Sequence, residues 1–332
     1  MVLTTQRGVD IAFSSADLAL SIDDFSDRFI KPAIANVANG IDFDGLGQYI
    51  NIYNEVGTPG TVPNALLTYL QAGQRLDEEA APRDNDRSLV ISPAMQATIV
   101  DALKGLFQDA DSISEQYLRG TMGRTIGFKW SMDQNVRTQT VGAYSPGGAT
   151  VTGGGQSGSS ILTGGWPNTT QVLNQGDVIT FAGVFAVNPQ NRQSTGALRQ
   201  FVVLANVTSS GGGVATIPVA CSGGFGLIAA GPFQNVSALP LGSAAITVSG
   251  ASGTGPSPRG LAFHKDAFAF ASADLPLPKG VDMAARVNDK QLGMSLRLIR
   301  AYDINTDRFP CRVEILYGWT TLYPELCVRI AS

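Results

Sequence analysis

The distribution of charged residues divides this sequence into three parts and constrains its fold more than any other feature. Residues 1–137 contain 18 acidic and 11 basic residues, and residues 258–332 contain 8 acidic and 10 basic residues. Residues 138–257, called the middle region below, contain only one acidic and two basic residues but 23 of the 38 glycines. So little charge and so much glycine predict a module that is inserted between the two charged parts.

Short apolar runs indicate that the middle region is a β domain. Residues 176–183, 200–207 and 214–219 are strand candidates, because Val, Ile, Thr and Phe predominate there and turn residues separate them. A compact barrel or sandwich is expected from such strands. The glycine- and serine-rich stretches around 147–165 and 250–260 are expected to be flexible connectors at the two ends of this domain.

The strongest helix signal in the first part begins at Ser21, where Ser21 and Asp24 take the N-cap and N3 positions of a capping box. Apolar side chains then recur at spacings of three and four residues, at Ile22, Phe25, Phe29, Ala33 and Val37. A long amphipathic helix can bury such a face, and Pro32 is expected to bend it because proline removes an amide donor.

The remaining flanking sequence mixes further helix and strand signals and predicts an α+β domain. Helices are expected at about 63–80, 93–107 and 111–120, followed by a strand at 126–131. After the middle region, strands are expected at 294–302, 312–319 and 326–330. The first two flank a polar loop and are expected to pair as a hairpin. The last is expected to complete a sheet with strands from before the middle region.

Overall composition argues against several classes of protein. The net charge of −4 argues against tight nucleic-acid binding through a basic face, because such affinity comes from Lys and Arg that neutralise phosphates. Cys221, Cys311 and Cys327 have no C-x-x-C spacing, which argues against a disulfide framework or a zinc site and suits a reducing compartment. The sequence has neither the apolar stretch of a signal peptide nor a run of about 18 apolar residues, so secretion and membrane insertion are not expected.

Few residues could carry out a reaction, so we expect no enzyme, no catalytic residues, no cofactor and no metal site. His264 is the only histidine, and no G-x-S-x-G elbow is present. A hydrolase that uses His264 remains a rival, and it would need an orienting carboxylate and a nucleophile beside the ring. The acidic clusters at 77–79 and 84–86 lack EF-hand spacing and are expected to be solvated loops.

The glycine- and threonine-rich middle region leaves a second alternative, a carbohydrate-binding or adhesive β-rich module. Trp166 could stack on a sugar ring if it were exposed. The more common role of such a tryptophan is to pack at the edge of a domain.

Six segments spread along the chain carry a resemblance to one known family. They are residues 9–15, 18–33, 127–136, 176–184, 261–268 and 297–330. In this order they resemble the coat proteins of short-tailed phages of the P22 type. No single segment is specific by itself, but together they span nearly the whole chain. The sequence is thus similar to the major capsid protein of a tailed bacteriophage.

The resemblance implies an α+β fold of the Hong Kong 97 type, with a peripheral domain on a long spine helix, an axial domain and an inserted all-β barrel. Residues 1–137 would form capsid core, with the spine helix near 21–50 and the first part of the axial domain. Residues 138–257 would form the inserted glycine-rich β-barrel domain. Residues 258–332 would supply the return strands of the axial and peripheral domains.

The resemblance also implies partners and a location. The implied partners are other copies of the chain in hexamers and pentamers of a capsid lattice, a scaffolding protein, a portal protein and non-specifically bound double-stranded DNA, with no membrane. The implied location is the virion capsid, after synthesis in the cytoplasm of the bacterial host. Many modest interfaces, each repeated in every subunit, would stabilise such a shell.

Two features depart from the family pattern. About twenty residues precede the predicted spine helix, where family members usually have an N-terminal arm and an extended loop. The chain is therefore expected to be truncated, processed or started at an internal methionine. The family's inserted domain can reach neighbouring subunits through charged loops, but the middle region has only three charged residues. Apolar or backbone contacts would have to replace such ion pairs.

Overall fold

The computed structural model describes residues 2–14, 30–103, 123–289 and 293–332, and within them the chain forms helices and many short strands. The helices are α1 (Lys31–Leu46), α2 (Leu66–Glu78) and α3 (Pro93–Leu103). The strands up to residue 139 are β1 (Thr5–Ser14), β2 (Glu55–Gly57), β3 (Arg87–Ile91), β4 (Arg124–Thr125), β5 (Phe128–Met132) and β6 (Thr138–Gln139). Those that follow in the middle region are β7 (Thr150–Val151), β8 (Ser160–Gly164), β9 (Gln171–Leu173), β10 (Val178–Val187), β11 (Ser194–Val203), β12 (Val207–Thr208), β13 (Ala215–Ala220) and β14 (Ile246–Val248). The remaining strands are β15 (Ser257–His264), β16 (Phe268–Ala273), β17 (Met283–Asp289), β18 (Met294–Arg300), β19 (Arg308–Thr321) and β20 (Cys327–Ala331).

The chain divides into two compact units. The first contains Met1–Gly45 and Phe268–Thr320, and the second contains Leu46–Ala267 and Thr321–Ser332. The whole middle region belongs to the second unit. The mixture of helices and strands agrees with the predicted α+β class.

The first unit is built on an antiparallel sheet that packs against α1. Its strand order is β1-β19-β18-β17, and β16 also pairs with β19. Val37 and Ile41 of α1 form a buried cluster with Ile315 and Tyr317 of β19, because a spacing of four residues places them on one helix face. Ala33 is buried as well. The apolar face predicted for this part of the helix is confirmed.

The predicted spine helix is described only from its second half onwards. α1 begins at Lys31 and ends at Leu46, and a 3-10 helix at Gly47–Asn51 follows it. The predicted N-terminal half lies outside the described residues, and it comprises Ser21, Ile22, Asp24, Phe25 and Phe29. Pro32 is the second residue of α1, where its missing amide donor would have no helical acceptor. The predicted bend stays a prediction, because residues 21–29, which would precede Pro32 in the helix, lie outside the described residues.

The hairpin predicted near the C-terminus is confirmed. β18 and β19 pair antiparallel, with Arg297 opposite Glu314 and Arg300 opposite Cys311. β19 begins at Arg308, so the loop is shorter than the sequence predicts.

A second sheet, in the second unit, carries the core on which the middle region rests. Its strand order is β2-β20-β15-β3-β5-β4, and β6 pairs with β15. α2 and α3 bury Tyr69, Leu76 and Met95 in one cluster with Leu89 and Ile330 of the sheet. β20 lies between β2 and β15. The last strand therefore joins a sheet with strands from before the middle region, as predicted.

Two of the shorter predicted helices are confirmed and the predicted strand is corrected. The helices expected at 63–80 and 93–107 correspond to α2 and α3, and the one expected at 111–120 lies outside the described residues. The strand expected at 126–131 is present as β5, but its predicted start is two residues too early. Ile126 and Gly127 both have positive φ and form the turn between β4 and β5, a conformation that interrupts a strand.

The middle region forms a six-stranded sheet in the order β14-β10-β11-β13-β8-β7, with a separate pair of β12 and β9. All three predicted strands are present, as β10, β11 and β13. Hydrogen bonds from Val151 to Ala244 and from Ile246 to Ala149 join the two end strands of this order. Phe181 and Phe201 pack in its core with ring centroids 5.5 Å apart.

One expectation about the middle region is wrong. The stretch 147–165 is not a flexible connector, because it contains β7 and β8, and β8 pairs with β13 from Thr163 to Ser160. Glycine there permits close approach of backbones: a Cβ on Gly148 would lie 2.9 Å from the carbonyl oxygen of Gly165. Composition alone could not separate a glycine-rich strand pair from a linker.

Candidate functional site

His264 is buried at the end of β15 and has no access to a substrate. Its side chain is 1% exposed, and its Nε2 atom lies 3.0 Å from both carboxylate oxygens of Asp84. The backbone N–H of Asp266 donates to Nδ1 at 3.3 Å. The hydrogen bond with His264 holds the pKa of Asp84 below its usual range. A general base must reach a proton of its substrate, so this burial argues against the hydrolase alternative.

Both acidic clusters contain ion pairs. Residues 84–86 form an exposed loop, as expected, whereas Asp77 and Glu78 belong to the last turn of α2. Asp77 binds Arg83 and Arg87, and Lys265 donates to Asp86 at 2.5 Å. Glu79 is buried. Among the described residues no group of three or more metal-binding side chains is placed to hold an ion, and no helix is long and apolar enough to cross a membrane.

Trp166 is packed inside the middle region. It is 4% exposed, and its indole N–H donates to Thr163 Oγ1 at 2.7 Å. It therefore offers no platform for a sugar ring, and the adhesive alternative loses the residue that motivated it.

Two of the three charged residues of the middle region are buried. Arg199 binds Glu79 outside the region, whereas Asp177 binds groups within it. Asp177 is 3% exposed and Arg199 is 2% exposed, whereas Arg192 is on the surface. They belong to a set of buried polar residues where the middle region meets the rest of the second unit. We call this set the polar junction; it consists of Glu55, Glu79, Gln139, Asp177, Arg199, Arg259 and Arg329.

The first part of the polar junction pairs Arg199 with Glu79, at the end of α2. Arg199 Nη1 donates to Glu79 Oε1 at 2.5 Å, and the guanidinium lies 4.7 Å from the centre of the Tyr53 ring. Burial raises the pKa of Glu79 above its usual range. The neighbouring Gln200 exchanges two hydrogen bonds of 2.9 Å with the backbone of Glu55. β11 is thereby tied to both α2 and β2.

The second part of the polar junction surrounds the carboxylate of Asp177. It accepts hydrogen bonds from the backbone N–H groups of Gly142 and Asn174 at 3.0 and 2.8 Å, and from Gln139 Nε2 at 2.9 Å. Tyr49 in turn donates to Gln139 Oε1 at 2.7 Å. Burial raises the pKa of Asp177, and these hydrogen bonds oppose that rise.

The third part of the polar junction centres on Glu55, which two arginines share. Its Oε2 atom lies 3.2 Å from Arg259 Nε and 3.3 Å from Arg329 Nη2, and Ser249 donates to Oε1 at 2.5 Å. Arg329 also donates to the carbonyl oxygen of Gly176 at 2.6 Å. Burial lowers the pKa of Arg259. The final strand β20 therefore reaches the middle region directly through Arg329.

Buried charges are costly unless each finds its partner, so the polar junction favours one arrangement of the middle region on the sheet around β20. The arrangement joins the middle region to α2, β2 and β20. Sequence reasoning missed these residues. The available signals were Asp177 and Arg199, isolated charges in an otherwise uncharged region, and Arg329 within an apolar strand.

A family model described as P22 coat protein, gene protein 5, matches residues 8–330 of this sequence. The chain belongs to this family. The coat protein is thus a component of a phage capsid, which confirms the resemblance drawn from the sequence. It is the major capsid protein of a tailed bacteriophage, and the family and the mixed helix and strand content together support a phage capsid fold.

Solved structures that are similar to the coat protein come from phage capsids. A structure of Mycobacterium phage Che8 is 10% identical, covers 98% of this chain and 70% of its own, and has a TM-score of 0.42. The mature capsid of bacteriophage PhiM1 is 10% identical, covers 100% of this chain and 72% of its own, with a TM-score of 0.42. The CUS-3 coat protein I-domain is 29% identical over 31% of this chain and 96% of its own, with a TM-score of 0.22. No curated protein matches the sequence significantly.

Proposed function

We propose that the coat protein assembles with a scaffolding protein and a portal protein into an icosahedral shell that encloses double-stranded DNA. It would be synthesised in the cytoplasm of the bacterial host and would bind the packaged DNA non-specifically. The observation that carries this proposal is the family match across residues 8–330. No step requires an acid, a base or a ligand, in keeping with the burial of His264.

In this proposal the predicted domains correspond to parts of the two units. The first unit is the peripheral domain, and α1 is the C-terminal part of its spine helix. The sheet around β20, with α2 and α3, is the axial domain. Residues 138–257 are the inserted β-barrel domain, and the hydrogen bonds that join the end strands of its sheet support this assignment.

Assembly would depend on repeated contacts between copies in hexamers and pentamers. Each contact can be modest, because every subunit makes several of them at once in a closed lattice. Arg192 is the one exposed charged residue of the middle region. Contacts made by this region would therefore use apolar and backbone groups.

Negative-stain electron microscopy of the coat protein, expressed from its full reading frame with its neighbouring scaffold candidate, tests this proposal. Uniform icosahedral shells are the expected result. The coat protein expressed without the scaffold candidate is the control, and it should give fewer or irregular particles. Dispersed monomers in both samples would contradict the proposal.

A further inference from the structure

The sheet of the first unit ends in β1 and β17, and neither outer edge is paired with another strand among residues 2–14, 30–103, 123–289 and 293–332. An unpaired edge readily pairs with another chain, so proteins usually shorten, cover or charge it. β17 has seven residues and no proline, and Met283 and Val287 are 40% and 69% exposed. We infer that the edge of β17 in one copy of the coat protein pairs with the edge of β1 in the next.

The strand directions of the sheet permit this pairing. β1, β19, β18 and β17 are each antiparallel to the next strand in the order. β17 consequently runs opposite to β1. In two copies with the same orientation, β17 of one copy is antiparallel to β1 of its neighbour.

The two faces of the sheet also match at the two edges. Val9 lies opposite Val313, Val313 opposite Leu298, and Leu298 opposite Ala285, so the odd-numbered residues of β1 and β17 share one face. Pairing that continues both faces must join odd residues to odd residues and even residues to even residues. The hydrogen-bonding pattern also alternates along each strand. If the backbone N–H and C=O groups that point out of the sheet belong to even-numbered residues in β1, they belong to even-numbered residues in β17 as well, and the same holds for odd-numbered residues.

One register among those that keep the faces aligned brings opposite charges together. It pairs residues 283–289 with residues 7–13 and places Arg286 directly opposite Asp10. Opposite charges facing each other across strands stabilise a pair, and like charges destabilise it. A shift by two residues places Arg286 opposite Gly8 or Ala12 and loses this match.

The same register matches the other face of the sheet. Val287 lies opposite Val9, and Asp289 lies opposite Arg7, whose guanidinium also binds Asp44 within its own copy at 2.7 Å. Antiparallel strands of this length add about one hydrogen bond per residue, so most of the contact comes from the backbone. This suits a coat protein with few charged residues.

The contact is heterologous, because each copy presents the β17 edge to one neighbour and the β1 edge to the other. Repetition of such a contact closes into a ring when the rotation between copies allows it. The inference rests on the proposed self-assembly. It adds to that proposal the surfaces that meet and the register in which they meet.

Engineered disulfides test the register directly. Ala12 and Ala284 lie opposite each other in this register, on the same face, so Ala12→Cys with Ala284→Cys should give a ladder of covalent multimers under oxidising conditions. The matched control combines Ala12→Cys with Ala285→Cys, whose side chains point to opposite faces, and it should give no ladder. The three native cysteines are buried, so they do not compete.

The result for cross-linking is distinguishable from the result for assembly. Particles without a ladder would overturn the edge pairing and leave shell formation intact. Absence of particles would count against shell formation. In that case the same variant is oxidised in concentrated solution, and absence of covalent multimers there would overturn the edge pairing.

Charge reversal is the second test. Each single change places like charges together within one copy, beside Asp274 or Arg312, so recovery in the double variant can come only from contact between copies. Within one copy Arg286 binds Asp274 at 3.3 Å and Asp10 binds Arg312 at 2.5 Å. Arg286→Asp should raise the protein concentration needed for assembly by roughly fivefold, because it faces Asp10 with a like charge. Adding Asp10→Arg should restore assembly if the two residues meet between copies. A double variant that assembles worse than either single variant would overturn the inference.

Discussion

Removal of one member of the Arg199–Glu79 pair should destabilise the second unit far more than removal of both. The Arg199 side chain is 2% exposed and the Glu79 side chain 6% exposed, so either charge left alone stays out of water. A guanidinium does not lose its proton in proteins, so Glu79→Met should cost about 3–5 kcal/mol of unfolding free energy. Arg199→Met should cost less, about 1–3 kcal/mol, because the lone carboxyl can take up a proton.

The two single variants should also differ in their dependence on pH. Burial raises the pKa of Glu79 above its unfolded value, so the folded state binds the proton more tightly. Without Arg199 this effect grows, and the unfolding free energy of Arg199→Met should fall as pH rises above about 4. Glu79→Met has no such carboxyl and should not show this dependence.

Urea unfolding of the purified chain, followed by circular dichroism, measures all three variants at several pH values. The double variant Glu79→Met with Arg199→Met should unfold within about 1 kcal/mol of the wild type, because apolar residues replace a buried ion pair without penalty. The double-mutant cycle should therefore show strong coupling. Two small and additive losses would refute the reasoning, because they would mean that both groups keep contact with water.

Two further predictions concern the fold. Gly226→Ala should destabilise the protein by about 1–3 kcal/mol, because a Cβ there would meet the carbonyl group of Gly158, whereas the control Gly255→Ala meets open space and should be nearly neutral in thermal unfolding. A hydrogen bond from Arg83 holds the pKa of Asp77 below its usual range, so this carboxylate stabilises the fold above about pH 4 and the contribution is lost as pH falls through the lowered pKa. Asp77→Asn should flatten the acid side of the stability profile measured by urea titration, and an unchanged acid slope would contradict the assignment.

Elements that depend on local patterns could be predicted from the sequence. The hairpin of β18 and β19, the strand β20 and the apolar face at Val37 follow from periodicities of two and of three to four residues, which need no knowledge of distant contacts. The wrong predictions fall where one amino-acid composition is compatible with two different local structures. Residues 147–165 have the glycine content of a linker but pair as strands, and the turn at Ile126 interrupts an otherwise convincing strand.

The sequence by itself determined the class of protein, the charge-poor middle region and most of its strands, because composition, periodicity and the order of similar segments are properties of the chain alone. Only the tertiary structure decided what the charged residues do. Arg199 meets Glu79 across 120 positions, and Arg329 meets the backbone of Gly176 across 153. Such pairings depend on strand order and register, which arise when distant strands pack together, and no local pattern encodes them.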